Sequence, residues 1–179
     1  TSWNSVGGLY AMGCATRTDK SLWVWGPNEN GRLGQNSTNT GYSSPIQLLG
    51  SNWDRVYASG SMVAAIDDAG KMYLWGTNSN GQMATSLPGN QQYSSPILIP
   101  GVWESESMGQ MRNGQGWVAL KKDGRLWGCG RQDNSQLGIF SHTTPAGNGP
   151  PISSPVQVGT GFWWMSGTVQ GGHYGGMGI

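Results

Sequence analysis

Only 11% of the 179 residues are charged, and 10 Lys and Arg against 9 Asp and Glu leave a formal charge of +1, where a soluble domain usually carries roughly 25% charged residues. With no basic run, the electrostatic attraction that drives nucleic-acid binding has no source; no stretch nears about eighteen uninterrupted apolar residues, so no spanning helix or membrane insertion is predicted. The first residues lack the charged-then-apolar pattern of a signal peptide, and a chain that starts at Thr1 rather than Met is expected to be a piece of a longer one.

Taken in chain order, the elements repeat. Trp3 opens the first apolar segment, followed by the aromatic strand LWVWG from Leu22, the polar turn NGRLG from Asn30 and the segment YSSPIQL from Tyr42. The series returns as Trp53, MYLWG from Met72, NGQMA from Asn80 and YSSPILI from Tyr93. It returns again as Trp103, LWGCG from Leu126, NSQLG from Asn134 and ISSPVQV from Ile152, before Trp163 and Trp164. Trp3, Trp53 and Trp103 are fifty residues apart, whereas Trp163 follows after sixty, the extra residues falling around 109–116 and 139–152. A fixed period of this length is the mark of a repeat architecture. The units are 3–52, 53–102, 103–162 and an incomplete fourth, 163–179. Added length confined to the stretches between apolar runs marks those stretches as surface loops.

Alternation within the units predicts strands. In LWVWG, Leu22 and Val24 face one way and Trp23 and Trp25 the other; in MYLWG, Met72 and Leu74 oppose Tyr73 and Trp75. A strand apolar on both faces must be covered on both. Hairpin turns are predicted at Asp19-Lys20, Ala69-Gly70 and Asp123-Gly124. In the second unit the strands fall near 53–60, 63–67, 71–76 and 96–100, which places Pro45, Pro96 and Pro155 at the start of each last strand, where a missing donor is tolerated. Four antiparallel strands per unit, with no helical period anywhere, predict an all-β chain built as a β-propeller of four-stranded antiparallel blades stacked face to face around an axis, about three blades and a half blade. Trp23, Trp25, Tyr73, Trp75 and Trp127 are assigned to packing between blades. Trp117 has Val63 and Gly13 as its counterparts and is read as free of the repeat.

The order of hairpin, aromatic strand ending in WG, N-x-x-G-Q-L-G turn, SP strand and next tryptophan resembles the regulator of chromosome condensation repeat family. The turn motif is carried by NENGRLG from Asn28, NSNGQM from Asn78 and QDNSQLG from Gln132; Cys129 stands in place of the WG tryptophan and Ala84 in place of the last turn glycine. The resemblance covers nearly the whole chain and implies a seven-bladed ring of which this chain is about half, as part of a longer chain or of a homo-oligomer, since open blade edges invite association. It also implies blades out of phase with the sequence repeat, so that 3–17 would be half a blade. The Y-S-S-P copies have a looser likeness to members of this family in virion proteins of marine bacteriophages.

Little chemistry is legible. His142 and His173 have no Cys or carboxylate at metal-ligand spacing, and no Ser/His/Asp context appears. No catalytic, cofactor-binding or metal site is predicted, and no cofactor. Asp67-Asp68 reads as a solvated turn. Cys14 and Cys129 would bridge only if their blades meet, and otherwise behave as small buried hydrophobes.

The expected function is therefore non-enzymatic: a structural or adhesive propeller module of a virion, such as a capsid decoration, fibre or tail component, at the virion surface or outside the cell. Its expected partners are other assembly proteins or a host-surface glycan, not nucleic acid. The contact loop is placed at 139–152, with Phe140, His142, Pro145, Asn148 and Pro150, because that insertion breaks the period. The alternative is a regulatory propeller resembling a guanine-nucleotide exchange factor for a small GTPase, or a secreted glycan-binding propeller.

Overall fold

The computed structural model describes residues 2–9, 11–50, 52–60, 62–87, 89–110, 114–133, 136–139, 149–159, 169–171 and 176–178. Strands β1 (Trp3–Leu9), β2 (Met12–Arg17), β3 (Leu22–Gly26) and β4 (Tyr42–Leu48) form one antiparallel meander. A second meander follows in β5 (Trp53–Ser59), β6 (Met62–Asp67), β7 (Met72–Thr77) and β8 (Gln92–Ile99), and a third in β9 (Gly109–Gln110), β10 (Gly116–Leu120), β11 (Leu126–Gly130) and β12 (Ile152–Gln157). A last antiparallel pair, β13 (Val169–Gly171) and β14 (Gly176–Gly178), lies beside the third sheet. Because β1 and β2 pair with β3 and β4 in a single sheet, each sheet runs from one repeat tryptophan to the next SSP segment. The out-of-phase arrangement implied by the family resemblance is thus overturned: 3–17 is the inner half of a complete four-stranded sheet.

The sheets stack as blades. β1 lies against β5, β5 against β9 and β9 against β13, so the first strand of every unit faces the common axis while β4, β8 and β12 form the outer rim. The alternation read from the sequence produces the cores between them. Leu22 and Val24 meet Trp53, Val56, Val63, Ala65 and Trp75 in one buried cluster between sheets one and two. Met72 and Leu74, on the opposite face of sheet two, meet Trp103, Trp117, Ala119 and Cys129 in a second. Val118, Leu120 and Leu137 form a third on the far face of sheet three.

The SSP segments depart from expectation. Pro45, Pro96 and Pro155 lie inside their strands, not at the start: Leu74 pairs with Ile97 and Gly76 with Tyr93, which leaves Ser94, Ser95 and Pro96 opposite Trp75 alone. The same three-against-one irregularity sets Ser43, Ser44 and Pro45 opposite Trp25, and Ser153, Ser154 and Pro155 opposite Cys129. A bulge on an edge strand needs no donor from proline and bends the edge out of reach of foreign strands. Asp67 also differs from the solvated turn predicted. It is buried, and its Oδ1 accepts the Ala69 and Lys71 amides at 3.0 and 2.8 Å, so the carboxylate closes the β6–β7 hairpin.

Each tryptophan buried between blades removes about 150–250 Å² from water, worth at most about 4–6 kcal/mol at 25 cal/mol per Å². Trp75 is fully buried between sheets one and two. Trp75→Ala is expected to cost about 3–5 kcal/mol in urea unfolding, and a loss below about 1 kcal/mol, as at exposed positions, would contradict its place between blades.

Candidate functional site

The repeated motifs converge on one structure, a clasp between the turn of one blade and the outer strands of the next. Asn28 begins the first turn and is buried; its Oδ1 accepts the Leu33 amide at 2.9 Å and its Nδ2 donates to Ser37 O at 2.8 Å. Asn78 repeats this with the Met83 amide at 2.9 Å and Leu87 O at 2.9 Å, and Gln132 Oε1 accepts the Leu137 amide at 2.8 Å. An amide side chain that substitutes for main-chain partners fixes a tight turn whose own carbonyls point outward.

Those carbonyls receive indoles. Trp75 Nε1 donates to Arg32 O at 2.9 Å, and Trp117 Nε1 donates to Gln82 O at 2.8 Å, each reaching from one blade to the turn of the blade before. Two residues beyond each turn, the Asn36 amide donates to Ser94 O and the Ser86 amide to Ser153 O, both at 2.7 Å, which holds the SSP bulge of the following blade. Side chains reinforce the rim: Gln92 Nε2 donates to Asn30 Oδ1 at 2.8 Å, and the Ser86 and Ser154 hydroxyls lie 2.8 Å apart. The approach is close enough to require glycine. Gly31 has φ +71 and a Cβ there would stand 2.7 Å from Ser94 Cα; Gly81 has φ +72 and the same atom would stand 2.9 Å from Ser153 Cα. A second tie joins the blades at the β2–β3 and β6–β7 hairpins, Trp53 N to Lys20 O at 2.9 Å and Trp103 N to Gly70 O at 2.8 Å.

Trp117, read as free of the repeat, is instead the repeat's indole on a different strand. Gly13 faces Trp25, Val63 faces Trp75, and Trp117 faces Cys129 across the strand pair. Every pair supplies one indole. In the third blade it comes from β10 rather than β11, still reaching the preceding turn, and Cys129 fills the vacated place with its thiol within donating reach of either Ile152 O at 3.0 Å or Gly81 O at 3.3 Å. At Gly34 a Cβ would stand 3.0 Å from Trp75 Nε1, whereas at the equivalent Ala84 the Cβ exists and packs against the cluster that holds Trp117. The departures at Cys129, Ala84 and Trp117 are therefore one change.

The remaining aromatics form a second tier. Arg17 stacks over Trp3 and Trp23 at 4.5 and 4.4 Å, Tyr73 meets Trp53 edge-on at 5.2 Å, and Lys121 stands 3.9 Å over Trp127 and 5.2 Å over Trp103. Trp23, Trp25, Tyr73 and Trp127 are half-buried. Of the predicted contact loop, Pro150 is exposed, while Phe140, His142, Pro145 and Asn148 lie outside the described residues, as do His173, Trp163 and Trp164. Cys14 and Cys129 are both buried and unbridged, in sheets one and three, and burial pushes both thiols up to about 12. Among the described residues no group of three or more His, Cys, Asp or Glu could hold a metal ion.

Moving the indole back across the strand pair tests the clasp. In an Ala84→Gly background, Trp117→Val and Cys129→Trp are each expected to destabilise, but together to recover at least about 1 kcal/mol relative to their sum in a double-mutant cycle. Additivity within about 0.5 kcal/mol would show that the two positions do not share one indole site.

No protein-family model matches the sequence, and no curated protein does. Solved structures do match the fold. Yeast RCC1 (Prp20), in its complex with Kap60, aligns with a TM-score of 0.72 at 17% identity over 93% of this chain and 39% of its own. Prp20p of Saccharomyces cerevisiae, in a structure reported with its binding to Gsp1p and histones, aligns at 0.68 and 17% over 85% of this chain and 37% of its own. Human WBSCR16 aligns at 0.68 and 17% over 88% and 39%. The chain spans about two fifths of the length of these proteins, and the likeness shows its fold, part of a β-propeller.

Proposed function

We propose that this chain is part of a non-enzymatic propeller that binds other proteins through the loops joining each turn to its edge strand. The observation that carries this reading is how the repeated polar groups are used. The turn amides, indoles and SSP carbonyls hold the blades to one another, so contact with a partner is left to the side chains of the loops 35–41 and 85–91 and to the insertion 139–152 read from the sequence. The second of these exposes Leu87, and the third is the longest. Propeller loops on a rigid stack of blades are well placed for such work.

The narrower readings differ in the partner. A regulatory role draws support from the likeness to Prp20, a protein described as binding Gsp1p and histones. Against histone binding of the same kind stands the near-neutral charge of this chain, since docking on a basic partner gains most from an acidic face. A virion or extracellular structural role, with assembly proteins or a surface glycan as partner, rests on the neutral Asn-, Ser- and Thr-rich composition and the loose likeness of the Y-S-S-P copies; no comparison supports it.

The test replaces 140–149 with a short Gly-Ser linker and titrates parent and variant with Gsp1p, with core histones and with cross-linked partners from the source cell. Binding by the parent that weakens at least about tenfold in the variant, with an unchanged melting temperature, is the expected outcome. Equal binding by both would remove this loop from the account, and turnover of any substrate by the purified chain would overturn the non-enzymatic reading.

A further inference from the structure

The turn that clasps the next blade is built on a chemically labile pair, Asn30-Gly31 in the first unit and Asn80-Gly81 in the second. The fold demands such residues there. Asn30 has φ 63° and Gly31 φ +71°, left-handed conformations that asparagine tolerates and glycine adopts freely. The same pairing is open to attack from within the chain, because glycine has the least hindered main-chain nitrogen and the carboxamide before it lies one ring closure away. In the folded turn that closure is blocked. At Asn30 a ψ of 20° makes the Gly31 nitrogen nearly eclipse Asn30's own nitrogen, whereas a five-membered ring needs it to eclipse Cβ. The Gly31 N–H donates to Asn28 O at 3.1 Å and the Gly81 N–H to Asn78 O at 3.2 Å, while Asn30 Oδ1 accepts Gln92 Nε2 of the following blade at 2.8 Å. Both glycines are buried and both asparagines half-buried.

We infer that Asn30-Gly31 and Asn80-Gly81 are deamidation sites that react only when the clasp opens, and that conversion to isoaspartate then keeps the clasp from closing again. The Gly31 nitrogen attacks Asn30 Cγ and bonds to it; the Cγ–Nδ2 bond breaks, and ammonia leaves with the proton of the Gly31 amide. Water then opens the cyclic imide. If it cleaves the new N–Cγ bond, the original main chain returns with aspartate at position 30. If it cleaves the bond from the Gly31 nitrogen to the main-chain carbonyl carbon of residue 30, the chain runs on through Cβ and Cγ as isoaspartate. The two products fit the clasp differently. Aspartate leaves the main chain as it was, and Gln92 Nε2 can donate to its carboxylate as it does to the carboxamide. Isoaspartate lengthens the main chain by one methylene just ahead of Gly31, where a Cβ on that glycine would already stand 2.7 Å from Ser94 Cα and Cβ; at Gly81 the matching distances to Ser153 are 2.9 and 3.0 Å. A close-packed contact has no room for the addition, so the lengthened turn cannot reseat on the SSP bulge. The inference rests on the clasp alone and does not depend on what the rim loops bind.

The test has two arms. In the first, the chain is held in mildly alkaline buffer, folded or in unfolding urea, and peptide mapping by mass spectrometry follows aspartate and isoaspartate at 30 and 80. Formation at least about tenfold slower in the folded chain is expected, and Trp75→Phe, which removes the indole donor to Arg32 O but keeps an aromatic ring, should speed it at Asn30. Equal rates folded and unfolded, or no acceleration in Trp75→Phe, would overturn the gating. In the second, a semisynthetic chain with isoaspartate at 30 and the Asn30→Asp variant are compared with the parent by hydrogen exchange of the Trp75 indole N–H. The isoaspartate chain is expected to exchange at least about tenfold faster, or to fail to fold where Asn30→Asp folds, while Asn30→Asp exchanges as the parent does. Parent-like exchange in the isoaspartate chain, or an equal loss of protection in Asn30→Asp, would overturn the inference that the added methylene holds the clasp open.

Discussion

A tryptophan N–H reaching from one sheet to a main-chain carbonyl in the turn before it sets the spacing of this molecule. The sheets are apolar on both faces, and apolar burial alone is non-directional; it would hold two sheets together in many relative positions. The indole removes that freedom. Once Trp75 or Trp117 is buried, leaving its Nε1 without an acceptor would cost about 1–3 kcal/mol, which favours the placement that brings Arg32 O or Gln82 O into reach. The acceptor is rigid because Asn28 and Asn78 occupy the turn's inward-facing amides. The SSP bulge belongs to the same device, since it sits opposite the indole position and receives the Asn36 and Ser86 amides.

The third blade shows which part of the arrangement is required. Cys129 stands where the other blades have tryptophan, yet the indole is not lost; it enters from the facing position on the neighbouring strand, and its bond to the preceding turn is kept at 2.8 Å. The constraint acts on the site between blades and not on a sequence position. Volume, ring and donor are conserved across a strand pair, while the residue that supplies them moves.

Much of the fold was legible because its signals are local. The alternation of Leu22 and Val24 with Trp23 and Trp25 predicts two buried faces, and both cores form along that division, with Leu22 and Val24 in one and Met72 and Leu74 in the other. What escaped the sequence depends on pairing. A proline after two serines reads as the beginning of a strand, and only the register of Leu74 with Ile97 and Gly76 with Tyr93 reveals a bulge. Trp117 looked like an outlier because a linear repeat compares 117 with 63 and 13 in turn. The signal was present in the coincidence that the one unit lacking tryptophan at the WG position gains one at the position facing it. Of the proposed contact loops only 139–152 was legible, as an insertion that breaks the period, because the side chains that would contact a partner are not repeated.

The central claim is that indole, turn and bulge form one unit holding neighbouring blades in place. Native-state hydrogen exchange measures this directly, through the indole N–H of Trp75 and Trp117 and the main-chain amides of Asn36 and Ser86. The account predicts that the two groups at each interface, Trp75 with Asn36 and Trp117 with Ser86, open together, with free energies agreeing within about 1 kcal/mol and close to that of global unfolding. Indoles that exchange by local fluctuation, several kcal/mol below the unfolding limit and independently of the turn amides, would contradict it.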